Sequence, residues 1–101
     1  MTIPNSVTSI GGYAFKDCGS LERATIPDGV TGIGSETFYN CGSLERVTIP
    51  SSVTSIGYGA FWGCRNLTDV YYGGSEDQWG AITIGDSNSP LTDAAIHYNS
   101  R

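Results

Sequence analysis

Apolar side chains recur along this chain at a period of 23 residues, together with a glycine and a cysteine at fixed places. A period of roughly 20–50 residues is typical of a solenoid, in which each repeat forms one coil stacked on the next. Equivalent side chains of successive coils are then expected to lie directly over one another. The predicted columns are Val7, Val30 and Val53; Ile10, Ile33 and Ile56; Gly11, Gly34 and Gly57; Phe15, Phe38 and Phe61; Cys18, Cys41 and Cys64; and Leu21, Leu44 and Leu67.

Each coil contains two segments with the pattern of short strands. Residues 21–26 alternate apolar and polar positions, which predicts a strand with one buried face. Pro27 ends this strand because proline has no N–H to donate to a sheet. A second extended segment covers residues 30–33, with its first and last side chains facing inward, and Gly34 closes it.

The apolar positions of residues 35–41 predict one helical turn on the outside of the coil. Thr37, Phe38 and Cys41 fall on one face of such a turn. Ser35 is placed to cap its first N–H groups. The three cysteines are therefore expected to form a ladder of small buried side chains. A disulfide between neighbouring coils is the alternative.

The 23-residue pattern stops after residue 72, and a different segment follows. Ser75 and Gln78 have the spacing of a capping box, which predicts the start of a helix. Trp79, Ala81 and Ile82 make this a longer helix with a bulky apolar face. Three side chains of the segment are expected to cover the end of the core: Trp79, Ile82 and Ile84.

The segment from Leu91 to Ile96 repeats the apolar spacing of the segment from Leu67 to Tyr72, 24 residues later in the chain (67 to 91). We therefore align the last strand on the strand that begins at Leu67. This places the last strand at 92–98. His97, the single histidine, then takes a slot that proline occupies in other coils, and we expect an edge residue rather than a metal ligand or a base. Three columns of exposed side chains are predicted across the sheet: Glu22, Glu45, Thr68 and Thr92; Arg23, Arg46, Asp69 and Asp93; and Thr25, Thr48, Tyr71 and Ala95.

These patterns divide the chain into three repeats over 1–70 and a cap over 71–101, which together form one structural domain. The first strand is expected to begin partway, with Met1 in the slot that Ala24 fills in the next coil. That leaves an open sheet edge and an open end of the core, through which copies of the chain could pair.

The composition excludes several classes of function. The 101 residues carry a net charge of −5 with only five lysines and arginines, so nucleic acid, which needs clustered cations, is not an expected partner. No apolar run is long enough to insert in a membrane, and the first residues lack the basic and apolar regions of a secretion signal. The odd number of cysteines and the single histidine give no zinc or cofactor site.

The string Ile-Pro-x-x-Val-Thr-x-Ile-Gly-x-x-x-Phe-x-x-Cys-x-x-Leu, which recurs over residues 2–72, resembles the BspA-like leucine-rich repeat family of bacterial surface proteins. The segment from Val70 to Tyr98 looks like the C-terminal end of such arrays. The resemblance implies an α/β fold: a curved, right-handed solenoid with a parallel sheet on its concave face and short helical turns outside. It also implies export to the cell surface and a role in adhesion or protein binding, with no catalytic residues.

A solenoid of this kind is expected to bind through the exposed face of its sheet. We predict a protein or glycan ligand on a host or neighbouring cell, contacted by Glu22, Arg23, Thr25, Glu45, Arg46, Thr48, Asp69 and Tyr71. A secondary aromatic patch is predicted at Tyr39, Tyr58 and Trp62. Two alternatives stay open. The sheet face could be a solvated surface whose charges offset one another, or the chain could be a structural spacer that self-assembles through its N-terminal end.

Overall fold

The computed structural model describes residues 3, 4 and 6–100, and it shows the coils stacked in sequence order. The strands and helices are all short, as expected when a single coil supplies each of them. In this part of the chain they are β1 (Arg23–Thr25), β2 (Gly32–Ile33), β3 (Arg46–Ile49), β4 (Ser55–Ile56), β5 (Asp69–Tyr72), α1 (Glu76–Gly80), β6 (Thr83–Ile84), α2 (Ser89–Thr92) and β7 (Ala95–His97).

One parallel sheet contains β1, β3, β5 and β7 in that order, so each strand pairs with the equivalent strand of the next coil. Successive residues of a strand point to opposite faces of the sheet, which sends alternate side chains into the core. Ala24, Val47 and Val70 occupy paired positions in neighbouring strands, and all three are buried. The predicted strand with one buried face is confirmed in the three coils that begin at Leu21, Leu44 and Leu67.

A second parallel sheet is formed by β2, β4 and β6. Ile33, Ile56 and Ile84 pair in register across it, and their side chains face the core. Ile10 extends the same row into the first coil through a single bridge to Ile33. The isoleucine column is therefore confirmed, and it continues into the segment beyond the three repeats.

The glycines that follow these isoleucines mark a close approach between coils. A Cβ built on Gly57 would lie 2.6 Å from the backbone nitrogen of Ser35. The equivalent Cβ on Gly85 would lie 2.7 Å from the nitrogen of Tyr58. No side chain fits at these separations, so the glycine slot permits the spacing of the stack.

The phenylalanines form the predicted column. The ring centroids of Phe15 and Phe38 are 5.3 Å apart, and those of Phe38 and Phe61 are 5.2 Å apart. The rings are inclined by only 12° and 18°, within the range of stacked aromatic pairs. Phe38 and Phe61 are completely buried, so the core runs continuously from coil to coil.

Residues 35–41 do not form the helical turn that their apolar spacing predicts. They form consecutive hydrogen-bonded turns, in which Glu36 and Asn40 have φ angles of 55° and 59°. These left-handed conformations interrupt a right-handed helix. Ser35 consequently has no helix to cap, and that prediction is wrong as well.

Hydrogen bonds between coils explain this departure. The N–H groups of Glu36 and Phe38 donate to the carbonyls of Tyr58 and Ala60 in the next coil, at 2.9 and 2.7 Å. A helix would direct the same N–H groups along its own axis. Stacking therefore favours a turn conformation whose alternate N–H groups point toward the neighbouring coil.

The cysteine ladder is confirmed, and the alternative of a disulfide between coils is wrong. Cys18, Cys41 and Cys64 are all free thiols. The Sγ atoms of the two buried cysteines, Cys41 and Cys64, lie 3.1 Å from the carbonyl oxygens of Phe15 and Phe38. Each buried thiol thus contacts the coil that precedes it.

The capping box at the start of α1 is present. The hydroxyl of Ser75 accepts a bond from the N–H of Gln78, whose side chain accepts one from the N–H of Ser75. The helix has only five residues, shorter than predicted, and Ala81 forms its exposed C-cap rather than part of an apolar face. Trp79 packs edge-on against Tyr72, with 5.1 Å between the ring centroids.

Leu91 does not begin the last strand, as the 24-residue alignment predicted. It lies in α2, where its side chain is completely buried. The last strand β7 begins at Ala95, which pairs with Asp69, and His97 pairs with Tyr71. The final coil is longer than the others because α1 is inserted after β5.

Four predicted positions are corrected by this register. Thr92 and Asp93 do not continue the exposed columns, and Ala95 stands beside Asp69 rather than Tyr71. His97 occupies a position on the sheet instead of the proline slot. The predicted register of β7 differs from the observed one by two residues. Because side chains of a strand alternate between its two faces, a shift of two leaves each side chain on the face that was predicted.

A buried asparagine links the final coil to the third. The Oδ1 atom of Asn88 accepts a bond from the N–H of Phe61 at 2.9 Å, in place of a backbone carbonyl from a further coil. Its Nδ2 group donates to the carbonyls of Gly57 and Gly85 at 3.0 and 2.9 Å. Asn88 is therefore a structural residue.

The predicted start of the first strand at Met1 lies outside the described residues. Several apolar side chains of the first coil are only half-buried, whereas their equivalents in the second coil are fully buried. The half-buried side chains are Val7, Phe15, Cys18 and Leu21, and their buried equivalents are Val30, Phe38, Cys41 and Leu44.

Candidate functional site

The solvent-facing side of the four-stranded sheet, called the sheet face below, displays two columns of side chains in register. It consists of Arg23, Thr25, Arg46, Thr48, Asp69, Tyr71, Ala95 and His97. Six of the eight predicted contact residues therefore lie on one surface. They alternate with buried partners because the strands alternate, so the backbone fixes their spacing.

The two predicted glutamates lie just before the strands. Glu22 and Glu45 are exposed, and the N–H of Glu45 donates to the carbonyl of Glu22 at 2.8 Å. The same pattern continues as the N–H of Thr68 donates to the carbonyl of Glu45 at 3.0 Å. These residues border the sheet face at the point where the chain enters each strand.

A small polar cluster is centred on Asp69. Its Oδ1 atom lies 2.9 Å from Nε2 of His97, and its Oδ2 atom accepts a bond from the hydroxyl of Thr68 at 2.8 Å. These two hydrogen bonds and the charges of His97 and Arg46 lower the pKa of the Asp69 carboxyl below its ordinary value, against a smaller opposing effect of desolvation. Asp69 is therefore held as a carboxylate in a fixed orientation.

An aromatic pair lies beside this carboxylate. The rings of Tyr71 and His97 stack with 4.7 Å between centroids and 14° between planes. His97 also holds Asp69, so one imidazole orders both neighbours on β5. The side chains stand on strands of a packed sheet, which restricts their motion before any ligand binds.

His97 is the functional candidate that sequence reasoning missed. Its position depends on where β7 begins, and the altered spacing of the final coil hides that start. The usable signal was the order of residues in Ala95-Ile96-His97, because the paired strand Asp69-Val70-Tyr71 has the same exposed, apolar, exposed order.

A groove borders the sheet face where the strands end in prolines. It has a volume of about 460 Å³ and is lined by residues of several coils, including Thr25, Thr48, Pro27, Pro50, Ser52 and Ser100. The hydroxyl of Ser52 already donates to the carbonyl of Val30 at 2.8 Å. Thr25 and Thr48 belong to both the groove and the sheet face, so a ligand on the sheet face could extend into it.

The predicted aromatic patch lies on the outer turns of the coils. Tyr39, Tyr58 and Trp62 surround a second, smaller cleft together with Glu36. Tyr58 and Trp62 are large and exposed, with 56% and 47% of their surface accessible. The structure thus brings the three predicted aromatic residues together, at a place separate from the sheet face.

A family model described as "BspA type Leucine rich repeat region (6 copies)" matches residues 1–96. The chain belongs to this family. The match extends beyond residue 72, where the 23-residue pattern stops, and includes β1 to β6, both helices and the first two residues of β7. The final coil, with α1 and α2, is therefore part of the BspA-type region.

One solved leucine-rich repeat structure supports the same assignment. The crystal structure of the T. pallidum leucine rich repeat protein is similar to this chain, with 32% identity and a TM-score of 0.65. The match covers 83% of this chain and 44% of the T. pallidum chain, so this chain spans less than half of that protein's length. A leucine rich cell surface protein from Faecalibacterium prausnitzii A2-165 matches with 29% identity and a TM-score of 0.43, over 82% of this chain and 34% of that chain. A search of the curated proteins found no match.

Metal ligands, membrane-spanning helices and reactive cysteines are three further features that bear on the function of this BspA-type region. Within residues 3–4 and 6–100, no three His, Cys, Asp or Glu side chains are grouped so that they could hold a metal ion. No helix in the same described ranges is long and apolar enough to cross a membrane. Burial raises the pKa of Cys41, and that of Cys64 to about 12, which keeps these thiols protonated and suits core packing rather than nucleophilic chemistry.

Proposed function

We propose that this chain is a non-enzymatic binding module that recognises a protein partner through its sheet face, within a BspA-type protein of a bacterial cell surface. The observation that carries the proposal is the ordered cluster of Asp69, Tyr71 and His97 at one end of that face. It combines a stacked aromatic pair with an ionised carboxylate on rigid strands.

The composition of the sheet face fits protein recognition. Tyrosine and arginine are the side chains that most often dominate the energy of protein interfaces. Arg46 pairs in register with Asp69, and Thr48 pairs with Tyr71, so a cation stands beside a carboxylate and an aromatic ring stands beside a hydroxyl. Because strands hold these side chains in place, a partner orders fewer of them on binding.

The charges of the face predict the partner's complementary pattern. Arg23 and Arg46 present cations in one column, and Asp69 continues that column with an anion. Glu22 and Glu45 add two carboxylates at the border. A partner that places acidic groups over the arginines and a basic group near Asp69 gains both affinity and orientation.

The test is a binding screen followed by variants. The purified chain is screened by surface plasmon resonance against purified extracellular and bacterial surface proteins, and each binder is measured again with Arg46→Ala and Tyr71→Ala. We expect each variant to weaken binding by at least about tenfold, as for central interface residues. Thr83→Ala, an exposed change on β6 of the other sheet, is the matched control and should bind like the parent.

Two results would contradict this proposal. If a confirmed protein ligand binds both sheet-face variants with unchanged affinity, recognition takes place elsewhere. If a glycan array gives binding while the protein panel gives none, the proposed class of ligand, a protein, is wrong. The same variants would then test whether the glycan binds at the sheet face.

Self-association is the second candidate function, and the half-buried core side chains of the first coil favour it. Val7, Phe15 and Leu21 leave apolar surface accessible where later coils bury it. A second copy or a further coil placed there would remove this surface from water. The chain would then act as a spacer or an assembly element.

Sedimentation velocity over a concentration series tests this candidate. We expect a dimer that Val7→Glu abolishes, because a buried charge without a partner opposes the contact. Tyr13→Ala, an exposed change in the same coil, should leave the dimer intact. A monomer at every concentration would contradict self-association.

Two further features follow from the family resemblance and a third from the sequence pattern, and all three belong to the same proposal. We propose that the coils wind in a right-handed sense, that the sheet face is the concave one, and that residues 71–101 act as a cap on the repeats of 1–70. Two side chains support the cap, since Ile82 is buried and Trp79 packs against the core.

A further inference from the structure

A cleft on the outer turns, called the outer cleft below, carries an inference that goes beyond binding at the sheet face. It has a volume of about 270 Å³ and is lined by Glu36, Tyr39, Tyr58, Gly59, Trp62 and Ser87. Pockets for drug-sized ligands are typically about 300–1,000 Å³. The outer cleft is therefore suited to a small chemical group.

The cleft exists because one slot of the repeat lacks a side chain in the third coil. The slot holds Tyr13 in the first coil and Glu36 in the second, but Gly59 in the third. A Cβ on Gly59 would lie 3.5 Å from Cγ of Glu36 and 3.8 Å from Cβ of Trp62, which places Gly59 at the floor of the cleft. All three residues share a left-handed backbone, with φ angles of 66°, 55° and 60°.

The chain already binds a cation to the same kind of surface one coil earlier. The ammonium group of Lys16 lies 5.2 Å from the ring centroid of Tyr13 and 5.1 Å from that of Tyr39. It also lies 3.7 Å from a carboxylate oxygen of Glu36. An ammonium group at such distances is attracted by the electron-rich faces of the rings.

Two of the three groups that hold Lys16 also line the outer cleft. Tyr39 and Glu36 are shared, and the cleft adds Tyr58 and Trp62. Trp62 occupies the slot of Lys16 and Tyr39 one coil further along. The third coil contains no lysine, so no ammonium group of that coil covers the rings of the outer cleft.

We propose that the outer cleft binds a quaternary ammonium group, such as the head group of choline. Three aromatic rings provide the cation–π surface, and the carboxylate of Glu36, which also pairs with Lys16 at 3.7 Å, provides the opposite charge. A methylated ammonium donates no hydrogen bonds, so ring faces and a nearby carboxylate can hold it without an acceptor aimed at an N–H group. The net charge of −5 also favours a cationic ligand at long range.

The proposal is tested by titrating the full chain with choline chloride while the indole N–H resonances are followed by NMR at constant ionic strength. The chain has two tryptophans, and Trp62→Phe assigns their signals. We expect a saturable shift of the Trp62 signal, with a dissociation constant on the order of 1–10 mM for a cage of this kind. Trp79 packs against Tyr72 away from the cleft, so its signal is the internal control.

Four other probes distinguish the effect of ligand charge from that of ligand shape and identify the source of the ammonium group. 3,3-Dimethylbutan-1-ol has the shape of choline without its charge and should bind at least about fivefold more weakly. Glucose should give no saturable shift of Trp62. Phosphocholine and vesicles of phosphatidylcholine present the same ammonium group from a soluble and a lipid source, and the one that binds more tightly identifies the source.

Variants identify the groups responsible. Glu36→Gln should weaken choline binding by about fivefold while it leaves the binding of the neutral alcohol unchanged. Gly59→Asn should abolish binding, because it fills the floor while asparagine tolerates the left-handed backbone. Lys16→Met removes a competing cation from Tyr39 and Glu36 and should strengthen binding by about twofold. A thermal unfolding curve for each variant separates loss of binding from loss of the fold.

Three outcomes with the parent chain, and one with a variant, would overturn the proposal. One is that choline gives no saturable shift, and another is that the neutral alcohol binds as tightly as choline. The third is that glucose moves the Trp62 signal while choline does not, which would make the cleft a sugar site. Unchanged choline binding in a folded Gly59→Asn variant would place the ligand elsewhere and would also overturn it.

Discussion

The imidazole of His97 stacks on the phenol ring of Tyr71, a residue 26 positions earlier in the chain (71 to 97), with 4.7 Å between the ring centroids. The same imidazole lies 2.9 Å from the carboxylate of Asp69. An ionised carboxylate can only accept a hydrogen bond, so the imidazole donates it. One side chain of the last strand thus orders two side chains of the strand before it.

The first prediction concerns the titration of Asp69. The hydrogen bond from His97 is the largest cause of its lowered pKa, so His97→Phe, which keeps a ring beside Tyr71 but has no donor, should raise that pKa toward the ordinary value of 3.8. A depressed carboxyl pKa stabilises the fold above the unfolded value and loses that effect as pH falls through the folded pKa. The stability difference between parent and variant should therefore be present near pH 6 and vanish at strongly acidic pH.

The measurement is a carboxyl NMR titration combined with urea unfolding at several pH values. Thr68→Val is the matched control, because it removes the second hydrogen bond to Asp69 and leaves the imidazole in place. It should raise the pKa of Asp69 by a smaller amount. An unchanged pKa in His97→Phe would contradict the arrangement.

How much could be predicted from the sequence depended on the regularity of the repeat. The columns of Phe38, Ile33 and Cys41 follow directly from the 23-residue period, because stacked coils place equivalent residues over one another. The 23-residue period does not predict the register of β7, because α1 lengthens the final coil. In addition, Leu91 has the sequence spacing of a residue that begins a strand, although it lies in α2. His97 was missed for that reason.

The outer turns were missed for a different reason. Apolar spacing over 35–41 fits a helical turn, but spacing does not report the sign of φ. The sequence held the signal in the third coil, where Gly59 and Gly63 fill the slots of Glu36 and Asn40. Glycine at both positions favours left-handed backbone and argues against a helix.

The second prediction concerns the phenylalanine column. Phe38 is completely buried between two stacked rings, so Phe38→Ala should lower the free energy of unfolding by about 3–5 kcal/mol through lost burial and a cavity. Phe15→Ala removes the half-buried ring at the end of the column and should cost less. Denaturant unfolding measures both, and equal losses would contradict a column that ends at Phe15 within the described residues.

The third prediction concerns Asn88. Asn88→Ala leaves the N–H of Phe61 and the carbonyl of Gly85 without the partner that Asn88 supplies, while the carbonyl of Gly57 keeps its bond from the N–H of Ala60. A buried group without a hydrogen-bond partner costs about 1–3 kcal/mol, so we expect a loss of about 2–3 kcal/mol in unfolding free energy. Asn66→Ala removes one exposed hydrogen bond and should cost less than about 1 kcal/mol. Similar losses in both variants would contradict the structural role of Asn88.

The fourth prediction compares two glycines of the same slot. Gly57→Ala would place a Cβ 2.6 Å from the nitrogen of Ser35, whereas nothing lies within 4 Å of a Cβ on Gly11. We expect Gly57→Ala to lower the free energy of unfolding by about 1–3 kcal/mol, since the coils must move apart. Gly11→Ala should stay within about 0.5 kcal/mol of the parent. Thermal unfolding of the two variants makes the comparison, and equal effects would show that coil spacing does not require the glycine.

The last prediction concerns the reactivity of the three cysteines. Alkylation requires the thiolate, and burial raises the pKa of Cys64 to about 12 and also raises that of Cys41. Cys18 is only half-buried and so is the thiol that a reagent can reach. Iodoacetamide near pH 8 should therefore add one label to the folded chain and three after unfolding in urea, as mass spectrometry would count them. Cys18→Ser should take up no label while folded, and rapid labelling of Cys64 in the folded chain would show that the coils separate there.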